Sequence, residues 1–479
     1  MTRTLTQSLA EFVTQTRFEE LAPEVIHSVE LRFLDLLGIC LAARHFGLAD
    51  GVQRMVEVWS GRPEAHVIGS GHACPAPNAA LVNGTLAHSL DFDDTHLPSV
   101  LHPSASIVPA VLAMAEATGR SGAEALVAAA LGIEVTVRIG MAGYLPDAGN
   151  VFFERGWHAT SICGTLGAAA AGGRLLGLDS EGIVNALGIA ASFGSGVIEA
   201  NRAGGTVKRV HCGWAAHAGL SAALLARHGM SGPPTALEGR FGVFQAFLSG
   251  QFDPAPITEG LGERWELPGI FFKPYPANHY THAGIDAALA IRRRLGGLVE
   301  VDQIERIDLG CAASPLRTIG EPRDEKIRPR SGYHAQFSGP FTLAAALLGG
   351  GGGLGVYFDD FSDAMARDPA RLALAEKVST FVDAECDAVF PREFPAVVRV
   401  HMRDGHVLEE RVMHNRGGPW NPLSQEEVHR KFALNAGLAL PPQAVARAAE
   451  AVFALRRMTG VGALMSSLSH RDRGNRAPG

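Results

Sequence analysis

Six titratable side chains crowd one short stretch of this sequence. His88, Asp91, Asp93, Asp94, His96 and His102 fall within residues 88–104, between the apolar runs Ala79–Ala87 and Ile107–Ala113. The flanks have the composition of buried segments, so the polar turn joining them is drawn toward a core. Polar groups in that position must be hydrogen-bonded or neutralised. Carboxylates and imidazoles held together push one another's pKa values apart, which is what general acid and base catalysis needs. An active site is expected to begin here.

Four further segments set reactive groups in apolar or glycine-rich surroundings. Gly156-Trp157-His158-Ala159-Thr160 leads into the small residues Gly164–Ala171, placing His158 where a helix should begin. Such a position lowers an imidazole's pKa and attracts anions. Gly204-Gly205-Thr206-Val207-Lys208-Arg209-Val210-His211 is a glycine-led loop ending in two cations and an imidazole. The other two are Phe272–His282, which carries Lys273, Tyr275, His279 and His282, and Ser331–Ser338, which carries Tyr333 and His334. Taken singly, each has a plainer reading. A lone histidine is most often a packed residue, a Lys-Arg pair a solvated face, and a tyrosine with a phenol pKa of about 10 a core aromatic.

Several chemistries find little support. Asp91-x-Asp93-Asp94 could hold Mg²⁺ for an isoprenyl diphosphate, but no second acidic cluster follows on a helix. There is no His-Glu-x-x-His for zinc and no Gly-x-Ser-x-Gly for a serine hydrolase. The pentaglycine Gly349–Gly353 lacks the Gly-Lys-Ser/Thr of a phosphate loop. It also interrupts Phe341–Phe358, 18 residues without charge, as a membrane span. The net charge of −7 and the absence of a basic, aromatic-rich stretch argue against nucleic acid. The six cysteines are far apart, so neither a disulfide framework nor a thiolate metal site is expected. The start, Met1–Thr6, lacks the apolar core of a signal peptide, and a cytoplasmic protein is expected.

The elements that must position these groups follow from patterning. At 479 residues, two domains are the natural expectation. Up to about residue 260 the chain is rich in Ala, Leu and Gly at helical spacing. Leu21-Ala22-Pro23-Glu24 opens a helix, Ser121 caps another over Ala123–Ile139, and 160–177, 181–192 and 213–229 continue the character. No period-two alternation is evident, so this region reads as all-helical. Beyond 268, Ile304, Ile307 and Leu309 suggest a strand, and Val397–Val412 a hairpin whose Asp404-Gly405 suits a type I′ turn. Ser424 and Glu427 have capping-box spacing, and the tail from His470 is expected to fray. The expected fold is mainly α: a helical domain from 1–268 and 411–479, with a smaller α+β domain inserted at 269–410.

Together the segments resemble the MmgE/PrpD family, which includes 2-methylcitrate dehydratase, cis-aconitate decarboxylase and iminodisuccinate epimerase. The matching elements are Asn83–Thr95, His102-Pro103-Ser104, Gly156–Thr160, Thr206-Val207-Lys208 with His211, Lys273-Pro274-Tyr275-Pro276 with Thr281-His282, Ala335–Ser338 and Phe33–Gly38. The resemblance implies a helical domain with an α+β lid, a homodimer, and catalysis without metal or organic cofactor. Its site residues map to Asp91, Thr95, His102, His158, Lys208 and His282, with Tyr333 a looser candidate.

Such reactions break a bond beside a carboxylate, so cations must receive the charge that develops on its oxygens. Lys208 would do so, with Arg209, Lys273 or Arg155 as helpers. His102, oriented by Asp91, would be the base, and His158 or His282 the acid. The expected substrate is a small di- or tricarboxylate. Dehydration is the first choice, decarboxylation and epimerisation are the alternatives, and a carboxylate-binding scaffold is the non-enzymatic one.

Overall fold

The computed structural model of the chain describes residues 3–146, 148–297 and 299–469, so the tail from His470 lies outside the described residues. Two compact units emerge, Met1–Ile270 with Val428–Gly479, and Phe271–Glu427. A division at 410 does not occur. That position falls inside the strand Val407–Val412, which is paired along its length with Ala396–Met402, and cutting there would orphan a ladder of hydrogen bonds.

The first unit is a stack of helices. Pro23–His45 starts with proline at its first turn, and Ser121 caps Gly122–Ala142 through a reciprocal bond with Glu124. Gly122–Ala142 is long and apolar enough to cross a bilayer, yet nearly all of it is buried inside this unit. It is a core helix, and it carries the buried pair Glu134–Arg138 (2.8 Å). Ser104–Thr118 and Ala159–Leu176 pack against it, and Ala76–His88, Ser180–Phe193 and His211–Arg227 pack in turn on these and on one another. The unit is not wholly helical. Two-residue strands pair at Ala65–His66 with Ala73–Cys74 and at Tyr144–Leu145 with Gly149–Asn150, too short to show as alternation in sequence.

The second unit holds a four-stranded sheet, ordered Val378–Val382, Ile304–Cys311, Ala396–Met402, Val407–Val412. The first pair is parallel and the others antiparallel. Ile304 and Ile307 are three apart and could not share a face of a regular strand. A register shift between Ile304 and Arg306 turns both inward. Helices His282–Arg294 and Gly339–Leu348 complete the core with Ile285, Ile291, Phe341 and Leu343.

The hairpin turn differs from the expected type I′. Gly405 has φ +91°, whereas Asp404 is not among the residues with positive φ, and Gly405 N–H donates to the Met402 carbonyl (3.0 Å). The geometry is a type I turn closed by a left-handed glycine, the three-residue solution. Ser424 and Glu427 do form the capping box that starts Gln425–Ala436.

Candidate active site

The polar turn 89–103 is held in the first unit by the helices on either side of it and by two cations beneath. Ala76–His88 presents His88 at its last position, and His211–Arg227 presents His211 at its first. These helices cross at Gly84 and Gly213, where a β-carbon on Gly84 would lie 2.7 Å from Gly213 Cα. Only a glycine pair permits that approach, four residues from His88 and two from His211. Close packing thus brings two imidazoles to one place.

Below the turn, Arg32 is fully buried and its Nη1 lies 2.8 Å from Asp94 Oδ2. Its other arm donates to the carbonyls of Leu267 (3.0 Å) and Ile270 (2.9 Å). Asp94 also accepts from Ser104 N–H (3.2 Å) and the Ser104 hydroxyl, so its carboxylate sits on the N-terminus of Ser104–Thr118. Burial pushes the Asp94 carboxyl up, against the opposing pull of Arg32 and Ser104. Lys431 plays a similar part. Its Nζ bonds Asp35 (2.8 Å) and the Phe92 carbonyl (3.0 Å) and lies 3.8 Å from the Phe92 ring centre. Burial leaves Asp35 pushed up to about 6 despite that partner.

The three aspartates face three different partners. Asp94 goes to Arg32, Asp93 accepts from buried His88 Nδ1–H (2.8 Å), and Asp91 Oδ1 lies 4.0 Å from Lys208 Nζ. Among the described residues no group of three or more His, Cys, Asp and Glu could hold a metal ion. Asp91 sits at φ +51°, in the left-handed region that few residues besides glycine, asparagine and aspartate adopt readily. Val100, at φ +52° in the tight turn His96–Leu101, is a costlier outlier because it is β-branched.

Four imidazoles line up beside these carboxylates. Ring centres are 5.3 Å apart for His102 and His88, 5.6 Å for His88 and His158, and 5.1 Å for His158 and His211. Each is held differently. His102 Nδ1 lies 2.7 Å from the Asp94 carbonyl oxygen, which can only accept, so Nδ1 carries the proton and neutral His102 has its lone pair on Nε2. Thr95 Oγ1 is 3.3 Å from the same nitrogen. The main-chain carbonyl of Asp94 thus orients His102, a partner that no side-chain pattern announces. His88 Nε2 is buried and has no hydrogen-bond partner.

His158 stands at the N-cap of Ala159–Leu176 without a side-chain cap bond and is buried, with its backbone N–H donating to the Gly196 carbonyl (2.8 Å) and its Nδ1 3.0 Å from His211 Nδ1. Burial holds its pKa well below the ordinary value, helped by His88, Lys208, His211 and His102. His211 is pushed down to about 4 by burial, with His88 and Lys208 adding to it.

Lys208 and Arg209 occupy the 3₁₀ turn Val207–Val210 and are both partly buried, after the left-handed glycines Gly204 and Gly205. Arg155 is committed elsewhere, with Nε donating to the Phe247 carbonyl (2.7 Å). Asp91, Thr95, His102, His158 and Lys208 are therefore assembled in the first unit. Lys273, His282 and Tyr333 belong to the second. There Lys273 is buried, and His282 Nε2 donates to the Ala277 carbonyl (3.0 Å) with Tyr275 and His279 against its ring. Tyr333 is 46% exposed and packs on Phe337. His88 and His211, both quoted in the sequence motifs, were not among the expected site residues. Their spacing carries no signal of their own, since the contacts that recruit them come from distant helices.

Comparison with known proteins covers nearly the whole chain. Family models described as the MmgE/PrpD N-terminal domain and the MmgE/PrpD C-terminal domain match residues 7–255 and 275–456. The cis-aconitate decarboxylase of Homo sapiens is 31% identical over 456 residues, covering 91% of this chain and 88% of that one. That of Aspergillus terreus is 30% identical over 417 residues, covering 84% and 83%. A cis-aconitate decarboxylase-like protein of Aspergillus oryzae is 27% identical over 482 residues, covering 97% of both.

Proposed function

This chain belongs to the MmgE/PrpD family, and from that premise we propose that it is a lyase decarboxylating a small unsaturated tricarboxylate of the cis-aconitate type, without a cofactor. The names borne by its full-length relatives support decarboxylation ahead of the dehydration first expected. The observation that carries the reading is the row of imidazoles with Lys208 acting on two of them.

The chemistry balances simply. In cis-aconitate the carboxymethyl arm loses carbon dioxide, and the electrons of the broken C–C bond form a new double bond. The pair from the old double bond takes up one proton at the former alkene CH, the carbon that bears one of the two remaining carboxylates. One proton enters and one carbon dioxide leaves. Negative charge grows on that carboxylate as the bond breaks, and a fixed ammonium there lowers the barrier. Lys208, steadied by Asp91, fills this role, with Arg209 as a further contact and Thr95 to orient substrate. His158 delivers the proton from Nε2.

Dehydration of a hydroxy tricarboxylate is the second reading. It needs a base, and His102 offers its Nε2 lone pair with Nδ1 tied to the Asp94 carbonyl. Incubation with cis-aconitate and, separately, 2-methylcitrate, followed by mass spectrometry, separates the two. Loss of carbon dioxide from the first supports the proposal, and loss of water from the second alone overturns it.

A further inference from the structure

We infer that His211 is a positioning residue that controls the proton carried by His158, the two imidazoles working as one proton-sharing pair. The inference rests on the proposed function for the role of His158 as donor, and deepens it. Two imidazole nitrogens 3.0 Å apart can be bonded only if one is protonated and the other bare, because two N–H groups would repel and two lone pairs would leave both unsatisfied. The tautomers are therefore coupled. When His211 Nδ1–H donates, His158 has a bare Nδ1 and a proton on Nε2, the form that can donate to substrate. When the bond reverses, His158 Nε2 is bare and cannot.

That coupling gives a route for replenishment. Both rings are buried, His158 at 1% and His211, at the start of its helix, at 7% exposure, so His211 is the nearer of the two to solvent. In each turnover a proton passes from solvent to His211 Nε2, from His211 Nδ1 to His158 Nδ1, and from His158 Nε2 to the substrate carbon, which leaves the pair in the reversed tautomer. Once product has left, a water proton taken up at His158 Nε2, with the Nδ1 proton returning to His211 Nδ1 and one released from His211 Nε2, restores the donor form. Each move breaks one bond to hydrogen and makes one, and the sum consumes the single proton that decarboxylation requires. A charge on the pair is disfavoured first by burial and then by the neighbouring imidazoles and ammonium group. His88, His102 and Lys208 face His158, and His88 and Lys208 face His211, while Asp93 and Asp91 lie against His88 and Lys208.

The test compares His211→Asn with His211→Ala. Asparagine keeps a hydrogen-bonding group where Nδ1 stood but cannot pass a proton on. The expected result is a KM within about twofold of wild type and a kcat reduced about 10–10²-fold, less than the roughly 10²–10⁴-fold of a group that touches substrate. In His211→Ala, added imidazole restores part of kcat in proportion to its concentration. Wild-type kcat in His211→Asn, or a deficit in His211→Ala that imidazole leaves untouched, overturns the inference. A measurement without substrate keeps it separate from the decarboxylase reading. Histidine ¹⁵N spectra of the wild-type protein should show one protonated and one bare Nδ1 in this pair, and His211→Asn should shift the titration of His158. Two histidines that titrate independently overturn the inference whatever the substrate proves to be.

Discussion

Arg32→Met removes the cation beneath the polar turn and leaves Asp94 buried without its guanidinium. The Asp94 side chain is only 2% exposed, so an unpaired carboxylate there takes up a proton instead of remaining charged. Holding that proton at about pH 7, when the unfolded chain releases it near 3.9, costs about 1.36 × 3.1, or about 4 kcal/mol. This agrees with the roughly 3–5 kcal/mol typical of a broken buried pair. At about pH 5 the same arithmetic leaves about 1.5 kcal/mol, and near pH 4 almost nothing. The sign follows from linkage. In the variant the folded-state pKa lies above the unfolded one, so the folded state binds more protons and its stability is regained on acidification and lost as pH rises. Urea unfolding followed by tryptophan fluorescence reads the first unit well, because Trp59, Trp157, Trp214 and Trp265 lie in it. Because burial already raises the wild-type Asp94 carboxyl, Arg32→Met should be up to about 4 kcal/mol less stable than wild type at about pH 7 and clearly closer to it at about pH 5. Adding Asp94→Asn should flatten that pH dependence. An equal deficit at both pH values, or a double variant that keeps the slope, would refute the reasoning and make Arg32 a packing residue.

Three further outcomes follow from the same geometry. Lys208→Met should keep the fold, since Lys208 lies in a short turn and is partly exposed, while kcat/KM for decarboxylation falls about 10²–10³-fold in a carbon dioxide release assay. His102→Asn should lower kcat about 10²–10⁴-fold with circular dichroism unchanged, and near-normal rates in both variants would remove these residues from the site. Gly84→Ala should lower thermal stability by about 1–3 kcal/mol or more, because its new β-carbon would meet the backbone of Gly213; an unchanged melting temperature would show that the helices separate at little cost.

The amino-acid sequence was enough to place several of the helices and the reactive segments. Proline at the start of Pro23–His45, the Ser121–Glu124 and Ser424–Glu427 boxes and the 3.6-residue spacing are local signals, and the elements they imply are present. The crowding of His88, Asp91, Asp93, Asp94 and His102 also pointed to the polar turn, because charges between two apolar runs must be paired somewhere. Local patterning could not tell a type I′ turn from a type I turn with a left-handed glycine, since Asp-Gly suits both and the choice rests on the backbone of the paired strands.

What the sequence could not supply was partnership. Which aspartate meets Arg32, which meets His88 and which faces Lys208 depends on contacts across 62, 5 and over 100 positions of chain, and the three carboxylates are chemically identical until those contacts form. The tautomer of His102 is set by a main-chain carbonyl, a group every residue has. His211 enters the site because Gly84 and Gly213 let two helices touch, 53 residues along the chain from the His158 whose proton it shares. Residue types decide what chemistry is available, but protonation and orientation are properties of neighbours, and neighbours exist only once the chain has packed.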